Sequence, residues 1–329
     1  MRLLRSRAVT ELALTELSLG CAQLGNLYRS VTDDEAAATV DAAWNAGIRY
    51  FDTAPHYGLG LSERRLGGAL AGRARSEYVV STKVGRRLVP LPEPYGRDDD
   101  GFDVPATHRR VWDFSRDGVL RSLEESLERL GLDRVDVVFL HDPDDHWAEA
   151  LNEAYPALEE LRAQGAVSSI GAGMNQAAML ADFVRHTDMD LLMLAGRYTL
   201  LEQGALDDLL PLCLERDVHV VAAGVFNSGV LARDDPPTDA KYNYADASPA
   251  VLDCARRIAD VCRSHDVSLP AAAIAFPLLH PAVASVCLGA RSPEQVERNA
   301  DLHHRAIPAD LWRDLKSEGL LRDDAPMPH

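Results

Sequence analysis

Phe51-Asp52-Thr53-Ala54-Pro55-His56-Tyr57-Gly58-Leu59-Gly60-Leu61-Ser62-Glu63 is the stretch whose reading decides the fold. The apolar run Ile48-Arg49-Tyr50-Phe51 delivers an acid, Asp52, and the chain then drops into a turn carrying a phenol, Tyr57, before a helix over residues 62–70. Gly58 and Gly60 match the first two glycines of the G-x-G-x-x-G dinucleotide fingerprint, but Glu63 stands where the third should be. A doubly wound sheet, the competing architecture, would normally show that fingerprint after its first strand, so the fingerprint fails here.

Outward from this stretch one unit recurs. Upstream, alternating leucines (Leu12, Leu14, then Leu17, Leu19) predict a short hairpin within residues 9–25, starting near Val9 and leading into a first strand; Thr32 with Glu35 marks a capped helix that Gly47 ends. Downstream, strands over 78–82, 135–140, 167–172, 191–194, 218–222 and 284–288 each lead into an amphipathic helix, with no linker-like break. About eight such strand–helix units predict a (β/α)8 TIM barrel with an N-terminal β-hairpin and long βα loops, occupying residues 1–329 as one α/β domain. The longest loop, about thirty residues after Lys83, carries Tyr95, Phe102 and Trp112 and is a candidate lid over a substrate.

Composition narrows the function classes. A net charge of −17 excludes a general nucleic-acid binder, which needs a basic face. Five scattered cysteines suit free thiols in a reducing compartment, and neither a signal peptide nor an apolar run of membrane-spanning length is present, so a cytoplasmic protein is expected. His141, Asp142, Asp144, Asp145 and His146 crowd together, and His303 adjoins His304, but neither group has the H-x-x-x-H spacing that puts two ligands on one helical face; no metal is expected.

The polar residues sort by their place in the repeat. Asp52, Lys83, His141, Asn175, Arg197 and Arg291 all fall at or just past strand ends, which in a barrel converge on one mouth. A phenol is a poor acid-base group at neutral pH unless a cation stabilises its anion, and Lys83 is placed to be that cation, with Asp52 holding the ammonium and His141 at the reacting oxygen. That set suits moving a proton at a carbonyl or carbinol while another group moves hydride. Ser292-Pro293 opens a helix whose free N–H groups favour an anion; with Arg291 and the loop Gly224-Val225-Phe226-Asn227-Ser228-Gly229 it forms a candidate phosphate site.

On these residues the chain resembles the aldo-keto reductases from about residue 8 to 302. Asp-Thr-Ala-x-x-Tyr-Gly (Asp52, Tyr57), Lys83 and His141 match that family's catalytic tetrad in order and spacing. More specific strings (residues 112–118, 141–144, 195–201 and 224–229) place the likeness in the branch of aldose 1-dehydrogenases that includes L-fucose and D-threo-aldose dehydrogenases and a pyridoxal dehydrogenase. The resemblance implies Tyr57 as acid-base, with Asp52, Lys83 and His141 around it, and Tyr57, Trp112 and His141 against the substrate. It also implies a nicotinamide cofactor across the mouth, held by Gly20, Asp52, Asn175, Arg197, Tyr198, Val225, Phe226, Asn227, Ser228, Gly229, Leu231, Gly289, Ala290, Arg291, Gln295, Arg298 and Asn299.

Three departures from the family pattern bear on that cofactor. Met174-Asn175 and Ala195 stand where the family has Ser-Asn and Gln, leaving Asn175 and Arg197 as substitutes. Gly289 and Gln295 stand where many members bind the 2′-phosphate of NADP with Lys and Arg; this tilts the expectation from NADP toward NAD, slightly, because Arg291 and Arg298 remain. The expected activity is NAD(P)-dependent oxidation of an aldose at C1 to a lactone. The alternatives are an NADPH-dependent aldehyde or ketone reductase, including pyridoxal-type substrates, and a non-catalytic nucleotide-sensing barrel subunit. The partner expected is a small sugar or aldehyde, with no nucleic acid or membrane, in a monomer or homo-oligomer.

Overall fold

The computed structural model describes residues 2–5, 11–93, 96–243 and 245–328. Eight parallel strands close into a barrel: β1 (Leu17–Gly20), β2 (Tyr50–Asp52), β3 (Val79–Val84), β4 (Val137–His141), β5 (Ser169–Met174), β6 (Leu191–Ala195), β7 (His219–Ala223) and β8 (Val283–Gly289), with β8 pairing back onto β1. The strands are buried almost throughout, as expected for a parallel sheet covered on its outer face by helices. Their inward side chains, among them Tyr50, Val79, Phe139, Leu191, Met193 and Val221, fill the interior as a packed core. A larger outer core lies between barrel and helices.

The helices start and stop where local chemistry says they should. α1 (Asp33–Asn45) opens on a complete capping box between Thr32 and Glu35. α2 spans Leu61–Leu70, and α3 (Arg116–Leu130) is capped by Ser115 and ended by Gly131 in the left-handed conformation. α4 (Tyr155–Ala163) is entered from Trp147–Glu149 through a π-helical turn at Ala150–Ala154. α5 (Ala177–His186), α6 (Leu209–Glu215), α7 (Pro249–Ser264), α8 (Leu269–Leu278), α9 (Pro293–His303) and α10 (Ala309–Ser317) complete the layer. α10 has no counterpart in the strand–helix reading; it packs Leu311, Trp312 and Leu315 into the outer core.

Two segments differ from expectation, and a third adds detail to the region before α7. The N-terminal hairpin pairs Glu11–Leu14 with Arg2–Arg5, upstream of the stretch read as a hairpin; Val9 lies outside the described residues. The two leucine pairs belong to different layers. Leu12 and Leu14 join the interior cluster with residues such as Val79, Val137 and Leu191, so the hairpin plugs the lower end of the barrel, whereas Leu17 and Leu19 point out toward the helices. The long loop after β3 is not structureless: Arg86–Pro90 and His108–Trp112 form an antiparallel hairpin over the mouth. The insertion before α7 folds into a smaller one, Lys241–Tyr242 with Ala245–Asp246.

Candidate active site

Register fixes the site before any side chain is considered. Gly20 pairs with Asp52 on one side and Gly289 on the other, Asp52 pairs with Ser81, and His141 pairs with Gly173, so these residues ring the upper end of the barrel. Tyr57 enters from the loop after β2. Its segment is pinned where Gly58, at φ +63°, crosses Gly25 so closely that a Cβ on Gly58 would come within 2.2 Å of the Gly25 carbonyl oxygen.

Asp52, Tyr57, Lys83 and His141 do come together. Lys83 Nζ spends all three of its donors: on Asp52 Oδ2 at 2.6 Å, on the Thr53 carbonyl at 3.0 Å and on the Tyr57 hydroxyl at 3.1 Å. The other oxygen of Asp52 accepts from Ser81 Oγ at 2.7 Å, and Ser81 meets the Tyr50 hydroxyl at 3.0 Å. A hydrogen-bonded chain thus runs from the barrel interior to the mouth. Ser81 sits two residues before Lys83 and therefore on the same strand face; that period-two placement is the signal by which sequence reading could have found it. The His141 ring stands edge-on to Tyr57 at 5.9 Å.

Charge in this cluster is settled by burial and pairing. Burial disfavours the Lys83 ammonium, but Asp52 and Tyr57 together outweigh it and hold the group above its ordinary range. For Tyr57 the balance falls the other way from the sequence argument. Burial is the largest influence and Asp52 adds to it; Lys83 pulls down but does not prevail, and the phenol is pushed up to about 12. At neutral pH Lys83 is therefore an ammonium and Tyr57 a neutral phenol. Burial, then Arg86 and Lys83, drive His141 well below the usual imidazole range, so it too is neutral.

The hairpin over the mouth contributes residues that sequence reading missed. Arg86 pairs with Asp142, the residue after His141, which adopts φ +44°. The Arg86 guanidinium lies 4.4 Å from the centre of the Trp112 ring, and Trp112 stacks on Phe114 and touches His146. Trp112 thus belongs to a packed group, although it is 45% exposed. Phe102 is buried against His56 and Tyr57. Tyr95 lies outside the described residues.

The residues expected to hold a cofactor divide. Gly20, Gly289, Ala290 and Arg291 cluster at the ends of β1 and β8, with Ser292 capping α9 by accepting from the Gln295 N–H, and the Gln295 side chain accepting from the Arg291 N–H. Arg298 donates to the Ala232 carbonyl and so ties α9 to the loop after β7. Asn299 lines a small cavity with Leu19, Ile48, Leu288 and Val296. Asn175 is half-buried at the end of β5, and Arg197 donates to Asn243 Oδ1 at 2.9 Å in the small insertion hairpin. In the β7 loop, Asn227 donates to the Gly196 carbonyl, Phe226 is half-buried and Ser228 and Gly229 have positive φ; the side chains of Val225 and Leu231 are fully buried, leaving only their backbone for a ligand. The Tyr198 ring is 1% exposed, packed on Phe276 of α8 and beside His280, so its side chain lies in the outer core and, as with Val225 and Leu231, only its backbone is left for a ligand. A Tyr three residues past an apolar run looks the same in sequence whether it turns in or out.

The chemistry of this side of the mouth fits an amide- and hydroxyl-rich nucleotide. Gln23 lies over Gly289, where a Cβ would come within 2.4 Å of its Nε2, and both Gln23 Oε1 and Asn227 Oδ1 are buried acceptors without a hydrogen-bond partner among the described residues. The five cysteines are free; Cys287, buried in the barrel interior, has its thiol pushed up to about 12 by burial and by Asp52.

Comparison with known proteins points the same way. The aldo/keto reductase family model matches residues 16–318. The chain is 51% identical to a D-threo-aldose 1-dehydrogenase of Pseudomonas sp over 95% of its own length and 97% of that protein. It is 40% identical to a pyridoxal 4-dehydrogenase of Microbacterium luteolum, with 96% and 97% covered. Among solved structures it matches the holo form of an aldo-keto reductase from Bacillus halodurans at 25% identity and a TM-score of 0.76, covering 96% and 95%. A glycerol dehydrogenase from Gluconobacter oxydans, at 23% identity and a TM-score of 0.77 over 99% and 97%, shares the fold.

Proposed function

The chain belongs to the aldo/keto reductase family, oxidoreductases that work with nicotinamide nucleotides, and from that premise we propose that it oxidises an aldose of the D-threo or L-fucose type at C1 to the lactone. The observation that carries this reading is the Lys83 ammonium held between Asp52 Oδ2 at 2.6 Å and the Tyr57 hydroxyl at 3.1 Å. When bound, the nicotinamide nucleotide supplies the hydride acceptor. The residues of the chain handle the proton: Tyr57 takes it from the C1 hydroxyl, Lys83 steadies the phenolate while it does so, and Asp52 keeps Lys83 charged and aimed. His141, neutral, hydrogen-bonds the reacting oxygen without adding charge. Trp112 forms part of the lip over the sugar.

Gly20, Gln23, the loop 224–229 and Gly289 to Gln295 would hold the nucleotide. Gly289 carries no cation, and Gln295 is occupied in accepting from the Arg291 N–H, which favours NAD over NADP.

A second reading, reduction of an aldehyde such as a pyridoxal-type substrate, is favoured by one observation: the Tyr57 phenol is held protonated, the form that donates. Steady-state rates with a panel of aldoses and aldehydes, each with both cofactors, separate the two. Turnover of D-threo aldoses with NAD is the expected outcome; no aldose oxidised by either cofactor would leave only the reductase. Tyr57→Phe should keep nucleotide binding, read by fluorescence quenching, and lose about a hundred- to ten-thousandfold in kcat/KM. Undiminished turnover in that variant would remove Tyr57 from the role.

A further inference from the structure

His56 stands next to the acid-base residue, and nothing in the proton transfer uses it. Its ring meets His141 edge-on at 5.6 Å, Phe102 edge-on at 5.2 Å and Tyr57 at 6.0 Å, so three aromatic neighbours fix its place. Its backbone is braced as well. The His56 carbonyl accepts from Arg110 Nη2 at 3.0 Å, and Arg110 is clamped by both oxygens of Asp98, whose side chain is 3% exposed. A residue held this firmly at the rim of a reaction site would be expected to have its polar atoms satisfied. Instead Nδ1 of His56 is buried with no hydrogen-bond partner among the described residues, and so is Nδ1 of His141.

The ring is also kept neutral. Burial, then Arg86, Arg110 and Lys83, lower it to about 2, so at working pH it offers one donor and one acceptor and no charge. Tyr57 and His141 converge on the reacting oxygen. A neutral imidazole at nearly equal distance from both rings is spaced for an oxygen on the neighbouring carbon.

We propose that His56 is a specificity-determining residue that hydrogen-bonds the hydroxyl next to the reacting carbon, selecting 2-hydroxylated aldoses and aldehydes over their 2-deoxy counterparts. In its aldose form the proposal rests on the dehydrogenase reading above.

The test compares kcat/KM for an aldose and its 2-deoxy analogue in oxidation, and for a 2-hydroxyaldehyde and the plain aldehyde in reduction. Wild type, His56→Phe and His56→Gln are measured, with thermal midpoint and nucleotide affinity as checks that each variant is folded. The expected result is a preference for the hydroxylated partner that falls about tenfold in His56→Phe, the effect of one neutral hydrogen bond. His56→Gln, which restores a donor and an acceptor, should regain part of it. A ratio unchanged by His56→Phe in both directions, or equal losses on both partners, would make His56 a packing residue and overturn the proposal. If no aldose is oxidised but the ratio in reduction still depends on His56, the dehydrogenase reading fails and this one stands. No turnover of any partner in either direction overturns both.

Discussion

Tyr57 keeps its proton at neutral pH because burial outweighs the pull of Lys83 on the phenolate, and Asp52 adds to burial. Directionality follows from that. Reduction consumes the phenol's proton and should be flat with pH until the phenol begins to ionise, whereas oxidation needs the phenolate, so its kcat/KM should climb with pH, up to about tenfold per unit, across the range below the phenol pKa. Profiles in both directions between pH 6 and 10 check this; an oxidation rate level over that range would mean another group is the base. Lys83→Met probes the same cluster. It leaves the Asp52 carboxylate buried without its cation, which should cost about 3–5 kcal/mol in stability, read by urea unfolding, besides abolishing most turnover. The tetrad could be read from the chain because Asp52, Lys83 and His141 fall at strand ends and Tyr57 lies in the turn that follows Asp52. The sign of the phenol's shift could not, because it depends on how much water the folded mouth excludes and on a third charge.

Among the elements, α2 and α3 cross so closely that a Cβ on Gly67 would lie 1.9 Å from the Leu130 carbonyl oxygen, while its neighbour Gly68 has nothing within 4 Å of the same position. Both glycines are helical, so propensity alone says that either change to Ala should help by about 0.5–1 kcal/mol. Packing reverses the sign for one of them. Gly68→Ala should stabilise by that amount, and Gly67→Ala should destabilise by about 1–3 kcal/mol as the two helices are forced apart, both read from urea midpoints. A stabilised Gly67→Ala would mean that the crossing gives way at little cost. The same contrast governs what was legible at this scale. Strands, caps and helix ends were written locally: Thr32 with Glu35, Ser115 with Gly131, Ser292 with Pro293. The hairpin over the mouth was not, since Arg86–Pro90 pairs with His108–Trp112 across a polar, proline-bearing stretch that lacks the tight-turn signature. The π turn before α4 and the burial of the Tyr198 ring in the outer core are likewise products of packing, with no local pattern to announce them.

For the whole molecule, two tendencies oppose each other on acidification. A net charge of −17 repels itself, and neutralising carboxylates relieves that, which taken alone would raise stability as pH falls from 7. Against it stand imidazoles that the fold keeps neutral: His56 and His141 at the mouth, facing Arg86, Arg110 and Lys83, and His108 and His303 elsewhere. A group whose folded pKa is depressed contributes stability that is whole above its unfolded pKa, about 6.5 for histidine, and is lost as pH falls toward the folded value. Below about pH 6.5 the unfolded chain therefore binds protons that the native chain refuses, at about 1.4 kcal/mol per pH unit for each fully refused proton, and the two mouth histidines together set a slope of about 3 kcal/mol per unit. The charge relief is spread over a surface where pairs farther apart than about 8 Å are screened at physiological ionic strength, so the histidines should win. Urea unfolding between pH 7.5 and 5 is expected to show stability falling below about pH 6.5. His56→Asn should flatten that fall by up to about 1.4 kcal/mol per unit, whatever its effect at pH 7.5. Stability that rises steadily down to pH 5 would show the two imidazoles taking up protons in the native state, and would take away the neutral mouth on which the roles of both His56 and His141 depend.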